Sequence, residues 1–174
     1  MVAFVIAADD PRDEDVLALL ERHLAFANEH SPPEDVHALD LAGLLDPALT
    51  LFSARSGRML LAIGALKDLG GAGAELKAMH TAEAVRGRGI GRAMVQHLLG
   101  VARERGHRQV HLETGSMEAF APARRLYEGA GFVPSGPFGA YAPSRKSTFM
   151  TLLLPLWRGC RRTPPAAGSP AWRS

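Results

Sequence analysis

Two spacings of apolar residues alternate along the chain, and the switches between them mark its elements. Residues 2–8 (VAFVIAA) are an unbroken apolar run of strand length and predict a short buried strand. Asp10 then stands as an N-cap with Pro11 at the first helical position and Asp13 in the first turn. Val16, Leu19, Leu20, His23, Leu24 and Ala27 follow at helical spacing, and Ser31-Pro32-Pro33 stops that helix. A second helical piece is expected over about 34–45. Residues 49–56 and 58–67 read as strands around a Ser56-Gly57-Arg58 turn, and Gly70-Gly71-Ala72-Gly73 leads into a further strand over 74–81. On that strand, strict alternation puts Glu75, Lys77, Met79 and Thr81 on one face and Leu76, Ala78 and His80 on the other.

A helix follows from Ile90, striped by Ala93, Met94, His97, Leu98 and Val101, with Gly106 suited to its C′ position. Residues 108–114 form a strand with Val110 and Leu112 on one face. A helix over 119–130 ends at Gly131, and strands at 132–134 and 147–154 flank a Pro/Gly-rich loop, 134–146. The order describes an α+β domain with one strand–helix–strand crossover: a mixed, mostly antiparallel sheet of about six or seven strands with about four helices. Residues 1–155 are expected to form the domain and 156–174, rich in Pro, Ala and Arg, a flexible tail.

Composition narrows the classes. The 174 residues are 47% apolar and 22% charged, ordinary for one globular domain. The single cysteine, Cys160, excludes an intrachain disulfide and a cysteine-based zinc site, and no metal is expected. No apolar run is long enough for a membrane span, and the N-terminus lacks the basic region of a signal peptide, so a cytoplasmic location is expected.

The net charge of +2 hides an asymmetry. Residues 1–46 hold Arg12 and Arg22 against 11 acids, whereas residues 86–125 hold eight arginines against Glu104, Glu113 and Glu118. Nucleic acid is not the expected partner, because aromatics for base stacking are only 6% of the chain. The arginines surround instead the segment Arg86-Gly87-Arg88-Gly89-Ile90-Gly91, between a strand and a helix. Glycines at alternate positions let successive amides point into one concavity, and the next helix adds its free N-terminal amides, so the segment suits a diphosphate. It is not a P-loop, because no Lys-Ser/Thr follows, and its GxGxG spacing is not the GxGxxG of dinucleotide folds.

This segment resembles the acetyl-CoA loop of the GNAT-family N-acetyltransferases, (Q/R)xxGx(G/A). The helix motif Leu126-Tyr127-Glu128 followed by Gly131-Phe132 is similar to that family's second signature. Glu75-Leu76-Lys77, Leu112-Glu113-Thr114-Gly115-Ser116 and Phe149-Met150-Thr151 resemble one uncharacterised bacterial subfamily, over about residues 1–155. The resemblance implies the three-layer GNAT fold and acetyl-CoA as co-substrate. It implies pantetheine along the backbone of Met79, His80 and Thr81, and pyrophosphate on the loop formed by Arg86, Gly87, Arg88, Gly89, Ile90, Gly91 and Arg92. Phe120 and Arg124 fall on the coenzyme side, Phe120 standing where many members carry Asn. Ala78 and His80 replace an arginine and an aromatic of the subfamily, which implies a different acceptor pocket.

Tyr127 matches the family's general acid, which protonates the departing thiolate; the structural alternative is a core aromatic. Glu75, Glu113, His80 and His37 are candidate bases, and Glu75 stands where some members carry a glutamate in that role; its alternative is a salt bridge with Lys77. The acidic stretch 28–46 would attract a cationic amine, or serve only as caps and solvated face. Phe138 and Tyr141, with Arg145 and Lys146, could meet a carboxylate on the acceptor. His37, Glu113, Phe138 and Tyr141 are the expected acceptor contacts. The leading expectation is direct acetyl transfer to a small primary amine: an amino acid derivative, amino sugar or polyamine. A protein or peptide N-acetyltransferase and a non-catalytic acyl-CoA-binding module are the alternatives, and a homodimer is left open.

Overall fold

A computed structural model describes residues 3–155 of the chain. The expected tail, 156–174, lies outside the described residues, as does Cys160.

Seven strands form one sheet: β1 (Val5–Ala8), β2 (Leu49–Ser56), β3 (Met59–Asp68), β4 (Gly73–Thr81), β5 (Gln109–Gly115), β6 (Val133–Ser135) and β7 (Ser147–Leu153). Their spatial order is β1-β2-β3-β4-β5-β7-β6, antiparallel throughout except for β4 and β5. That parallel pair needs a crossover, supplied by α3 (Ile90–Glu104). α1 (Glu14–His30) and the short α2 (Leu41–Leu44) cover one face of the sheet, and α3 and α4 (Ala121–Gly129) cover the other. On the α3 side, Met94, Val95, Leu98 and Ala102 are fully buried against Leu76, Val110 and Leu112. On the α1 side, Val16, Leu19 and Leu20 pack on Ile63, Ala65 and Ala78.

The mixed sheet, the crossover and the strand order along the chain agree with the sequence reading. Three local expectations need correction. The first strand is not buried: it pairs with β2 alone, at the sheet edge, and Val5 is 70% exposed. Asp10 does not cap α1. Its carboxylate accepts from the Arg12 amide at 2.9 Å, shaping a preceding turn, and Asp13 takes the cap position. The helix expected at 34–45 is a 3-10 turn at Pro33–Asp35 and the single turn of α2, capped by Asp40, whose Oδ1 accepts from the Gly43 amide at 2.9 Å.

Two features of β4 open the site. Its pairing with β5 runs from Gly73↔Gln109 to Leu76↔Leu112 and stops. Beyond that point, among the described residues, the edge of β4 from Lys77 to Thr81 has no strand beside it. On the other edge, Ala65 pairs with Lys77 but Ile63 with His80, so two residues of β4 oppose the single Gly64. This is a β-bulge, with Ala78 at φ 51°, a conformation non-glycine residues seldom adopt. The extra residue resets the alternation. Glu75, Lys77, Ala78 and His80 share the α1 face, and Met79 and Thr81 turn to the α3 face. The alternation expected beyond Lys77 is thereby overturned.

Candidate active site

The splay between β4 and β5 is the floor of a cleft of ≈ 540 Å³. One end is the turn before α3. Gly87 and Gly89 stand at φ 74° and 82°, backbone positions that a side chain would strain. The Arg86 amide bonds Glu83 O at 3.2 Å and the Ala93 amide bonds Gly89 O at 3.0 Å. Among the described residues, the six amides between them have no backbone acceptor. Gly87, Gly89, Ile90 and Gly91 line the cleft at the positive end of α3, together with Arg86 and Arg92. Arg86 is held over the end of β4, its Nε donating to Thr81 O at 3.2 Å. Gly91 fits closely, since a Cβ there would meet Thr81 Oγ1 at 3.3 Å.

Tyr127 reaches the middle of the cleft from α4. Its ring is 6% exposed and meets Phe132 edge to face at 5.9 Å. The helix ends in a Schellman turn, with the Phe132 amide on Tyr127 O at 3.0 Å and the Gly131 amide on Glu128 O at 2.9 Å. That turn fixes the tyrosine's backbone. Burial pushes the phenol well above the ordinary range, and the charge of Glu113 adds to it, so the hydroxyl stays protonated at neutral pH.

The far end holds the acid–base groups. Glu113, on β5, lines the cleft, and burial raises its carboxyl above the usual carboxylate range. His37 and Lys77 line the same end. Glu75 does not. Its carboxylate lies behind Lys77, the two side chains 5% and 10% exposed, with Nζ on Oε1 at 3.0 Å. The Tyr141 hydroxyl donates to the same Oε1 at 2.6 Å and accepts from Lys77 Nζ at 2.6 Å. His37 meets the Tyr141 ring edge to face at 4.9 Å. His80 packs edge to face on His23 at 5.5 Å, and its Nε2 is 3.5 Å from an Arg86 guanidinium nitrogen. Burial foremost, then the arginines nearby, lowers His80 to about 4, so it is neutral at pH 7.

Of the residues expected from sequence, the cleft gathers Met79, His80, Thr81, Arg86, Gly87, Gly89, Ile90, Gly91, Arg92, Phe120, Tyr127, His37 and Glu113. Arg88, Arg124, Glu75, Phe138 and Tyr141 do not line it. Arg124 donates to Gly115 O at 2.7 Å and Met117 O at 2.9 Å, stapling the end of β5 to α4. Phe138 stacks on His111 at 4.7 Å and contacts Tyr141 and Phe149, forming an aromatic layer over β5 and β7. Sequence reading missed His23 and Phe26, which reach the cleft from α1. The signal for His23 was present, since it sits within the apolar stripe; Phe26 falls one residue outside it.

Among the described residues no group of side chains could hold a metal, and no helix is long and apolar enough to cross a membrane. A splayed parallel strand pair, a turn of free amides and a buried phenol line this one cleft. The chain belongs to the GNAT acetyltransferase family, whose model, described as Acetyltransferase (GNAT) family, matches residues 14–132. It is 40% identical to the uncharacterized N-acetyltransferase YsnE of Bacillus subtilis, over 86% of this chain and 99% of that protein. It is 34% identical to an IAA acetyltransferase of Azospirillum brasilense, over 83% of this chain and 94% of that one. Among solved structures, it resembles a GNAT family acetyltransferase from Elizabethkingia anophelis with acetyl-CoA bound. That match has a TM-score of 0.64 at 16% identity and covers 87% and 98% of the two chains.

Proposed function

We propose that this N-acetyltransferase moves acetyl from acetyl-CoA to a primary amine of a small molecule, by direct attack within a ternary complex in the cytoplasm. The observation that carries the reading is the continuity of one cleft. It runs from the turn of free amides before α3, past an unpaired strand edge, to a protonated phenol and a carboxyl of raised pKa.

The residues fit acetyl-CoA as substrate. The amides of 87–92, with Arg86 and Arg92, suit the pyrophosphate, and the free edge of Lys77–Thr81 suits an amide-bearing chain laid beside it as an extra strand. At the far end Glu113 takes a proton from the acceptor's ammonium. The neutral amine attacks the thioester carbonyl, forming the C–N bond as the C–S bond breaks, and Tyr127 gives its proton to the departing sulfur. The acylated nitrogen sheds its second proton, through water, to the Tyr127 phenolate, and solvent removes the proton held on Glu113, leaving the neutral amide and the free thiol. Glu113 suits the base role better than Glu75, whose carboxylate is engaged by Lys77 and Tyr141. Glu75 becomes a positioning residue that holds Lys77 against the acceptor end.

The test is thiol release from acetyl-CoA by the full chain with and without an amine library, followed by identification of the acetylated product. Amine-dependent release supports the reading. Acetyl-CoA binding with no release for any amine would favour the non-catalytic binding module.

A further inference from the structure

Phe26 and Phe120 are large apolar rings that belong to neither hydrophobic cluster of the fold. Both line the cleft and both are only half-buried. They meet edge to face, centroids 5.2 Å apart and planes at 72°. Phe120 is seated on the backbone of β5, where a Cβ on Gly115 would come within 2.4 Å of its Cδ2. The seat exists because position 115 carries no side chain. Phe26 is steadied from the other side by His30, edge to face at 4.6 Å. Rings kept out of the core forgo the free energy of burial, so an apolar wall facing a cleft marks a contact made with a ligand. Ala27 and Val36 extend the wall. His23 and His80 beside it are uncharged at neutral pH, each lowered to about 4 by burial first of all.

Among the described acids of residues 28–46, Asp35 alone lines the cleft. Asp40 caps α2, Asp46 pairs with Lys67 at 2.8 Å, and Glu29 stands in solvent. Such an arrangement does not suit a polycation.

We infer that the acceptor is a primary amine borne on an aromatic or comparably flat apolar group. Its amine points to Glu113 and Tyr127, and its apolar body lies on the wall of Phe26 and Phe120. This rests on the amine-transfer reading and names its substrate class.

The experiment measures thiol release by the full chain at saturating acetyl-CoA with phenethylamine, tryptamine, glucosamine and spermidine. The aryl amines are expected to exceed the other two in kcat/KM by about 10- to 100-fold, the discrimination that burying one aromatic group supplies. Phe26→Ala should raise the KM for phenethylamine about 10-fold and leave the KM for acetyl-CoA in place, with Phe26→Leu restoring most of the loss. Preference for glucosamine or spermidine overturns the acceptor assignment while keeping the amine-transfer reading. So does a Phe26→Ala effect that falls on acetyl-CoA instead of the amine. No release with these or a wider amine library, from a chain that binds acetyl-CoA by calorimetry, overturns the amine-transfer reading and this inference with it.

Discussion

Tyr127→Phe separates the chemistry of the cleft from its architecture. The ring is 6% exposed and packs in the core around α3, so a phenylalanine keeps its shape and contacts. The hydroxyl takes no protein partner among the described residues and opens on the cleft. Removing it therefore strands no buried donor or acceptor, and stability should change by less than about 1 kcal/mol. For a chain of this size that is a shift in melting temperature of no more than about 4 °C. Catalysis is another matter. A positioned general acid contributes about 10²- to 10⁴-fold, or roughly 3–5.5 kcal/mol of barrier. The loss should fall on kcat, because the phenol is needed when sulfur gains charge, while the KM for acetyl-CoA should move little. Burial and the Glu113 charge keep the phenol protonated through neutral pH, so the effect should be present across the working range. The assay pairs steady-state thiol release with a thermal melt and acetyl-CoA titration of both proteins. An unchanged kcat would remove Tyr127 from the reaction and leave it a core aromatic. A melting temperature lowered by 10 °C or more would show that the hydroxyl has a structural partner and that the reasoning failed earlier.

Glu75→Gln strips the charge from a pair whose side chains are 5% and 10% exposed, leaving the Lys77 ammonium buried without its counter-ion; a loss of about 3 kcal/mol in denaturant unfolding is expected, whereas normal stability with lost kcat would restore Glu75 as the base. Gly89→Ala forces a side chain onto φ 82° in the amide cradle and should raise the KM for acetyl-CoA about 10-fold or more, with kcat for the bound complex less affected; an unchanged KM would move the pyrophosphate elsewhere. Burial raises Glu113 above 4.5, so kcat should climb with pH through that raised value, and Glu113→Gln should flatten the limb. The stability this carboxyl lends is full below its unfolded pKa and lost as pH rises through the folded one, so the Gln variant should melt higher than the parent at neutral pH. The chain's two tyrosines are both raised, Tyr141 by burial and then by Glu75, so the native protein should show little tyrosinate absorbance near about pH 10–11 and gain it only on unfolding.

The glycine turn before α3 was legible because its geometry is local. Alternate glycines before an amphipathic helix specify a turn whose amides have nowhere else to go, whatever the sheet beside them does. Tyr127 was legible for a similar reason, being placed by the helix and by the Gly131 that ends it. The acceptor end was not. Its residues come from α1, the turn at Pro33–Asp35, β4 and β5, and no local spacing brings Phe26 to Phe120 or His23 to His80. The acids of 28–46 could be read either as an attracting surface or as caps and a solvated face, because charge alone was visible. Folded, Asp40 and Asp46 are occupied as a cap and an ion pair. Arg124 was expected on the coenzyme side; in the fold two backbone carbonyls hold its guanidinium, which no local spacing announces.

The decisive illegible feature is one residue long. Ala78 at φ 51° carries a cost of order 1–2 kcal/mol that alanine, unlike glycine, advertises nowhere in the sequence. Its counterpart lies across the ladder at Gly64, where a Cβ would meet Met79 Sδ at 2.7 Å, Met94 Cγ at 3.0 Å and Leu98 Cδ1 at 3.1 Å. The missing side chain makes the hole that Met79 fills from the α3 side, and filling it offsets the strain at Ala78. Without the bulge, strict alternation would send His80 to the α3 side and Met79 to the α1 side beside Lys77. With it, Lys77, Ala78 and His80 face α1 together, and the backbone that turns them also loses its partner on β5. The bulge on the β3 edge and the end of pairing on the β5 edge thus fall on the same stretch of β4, and under the proposed function that stretch is where an extended co-substrate would lie, with Lys77 and His80 beside its reactive end.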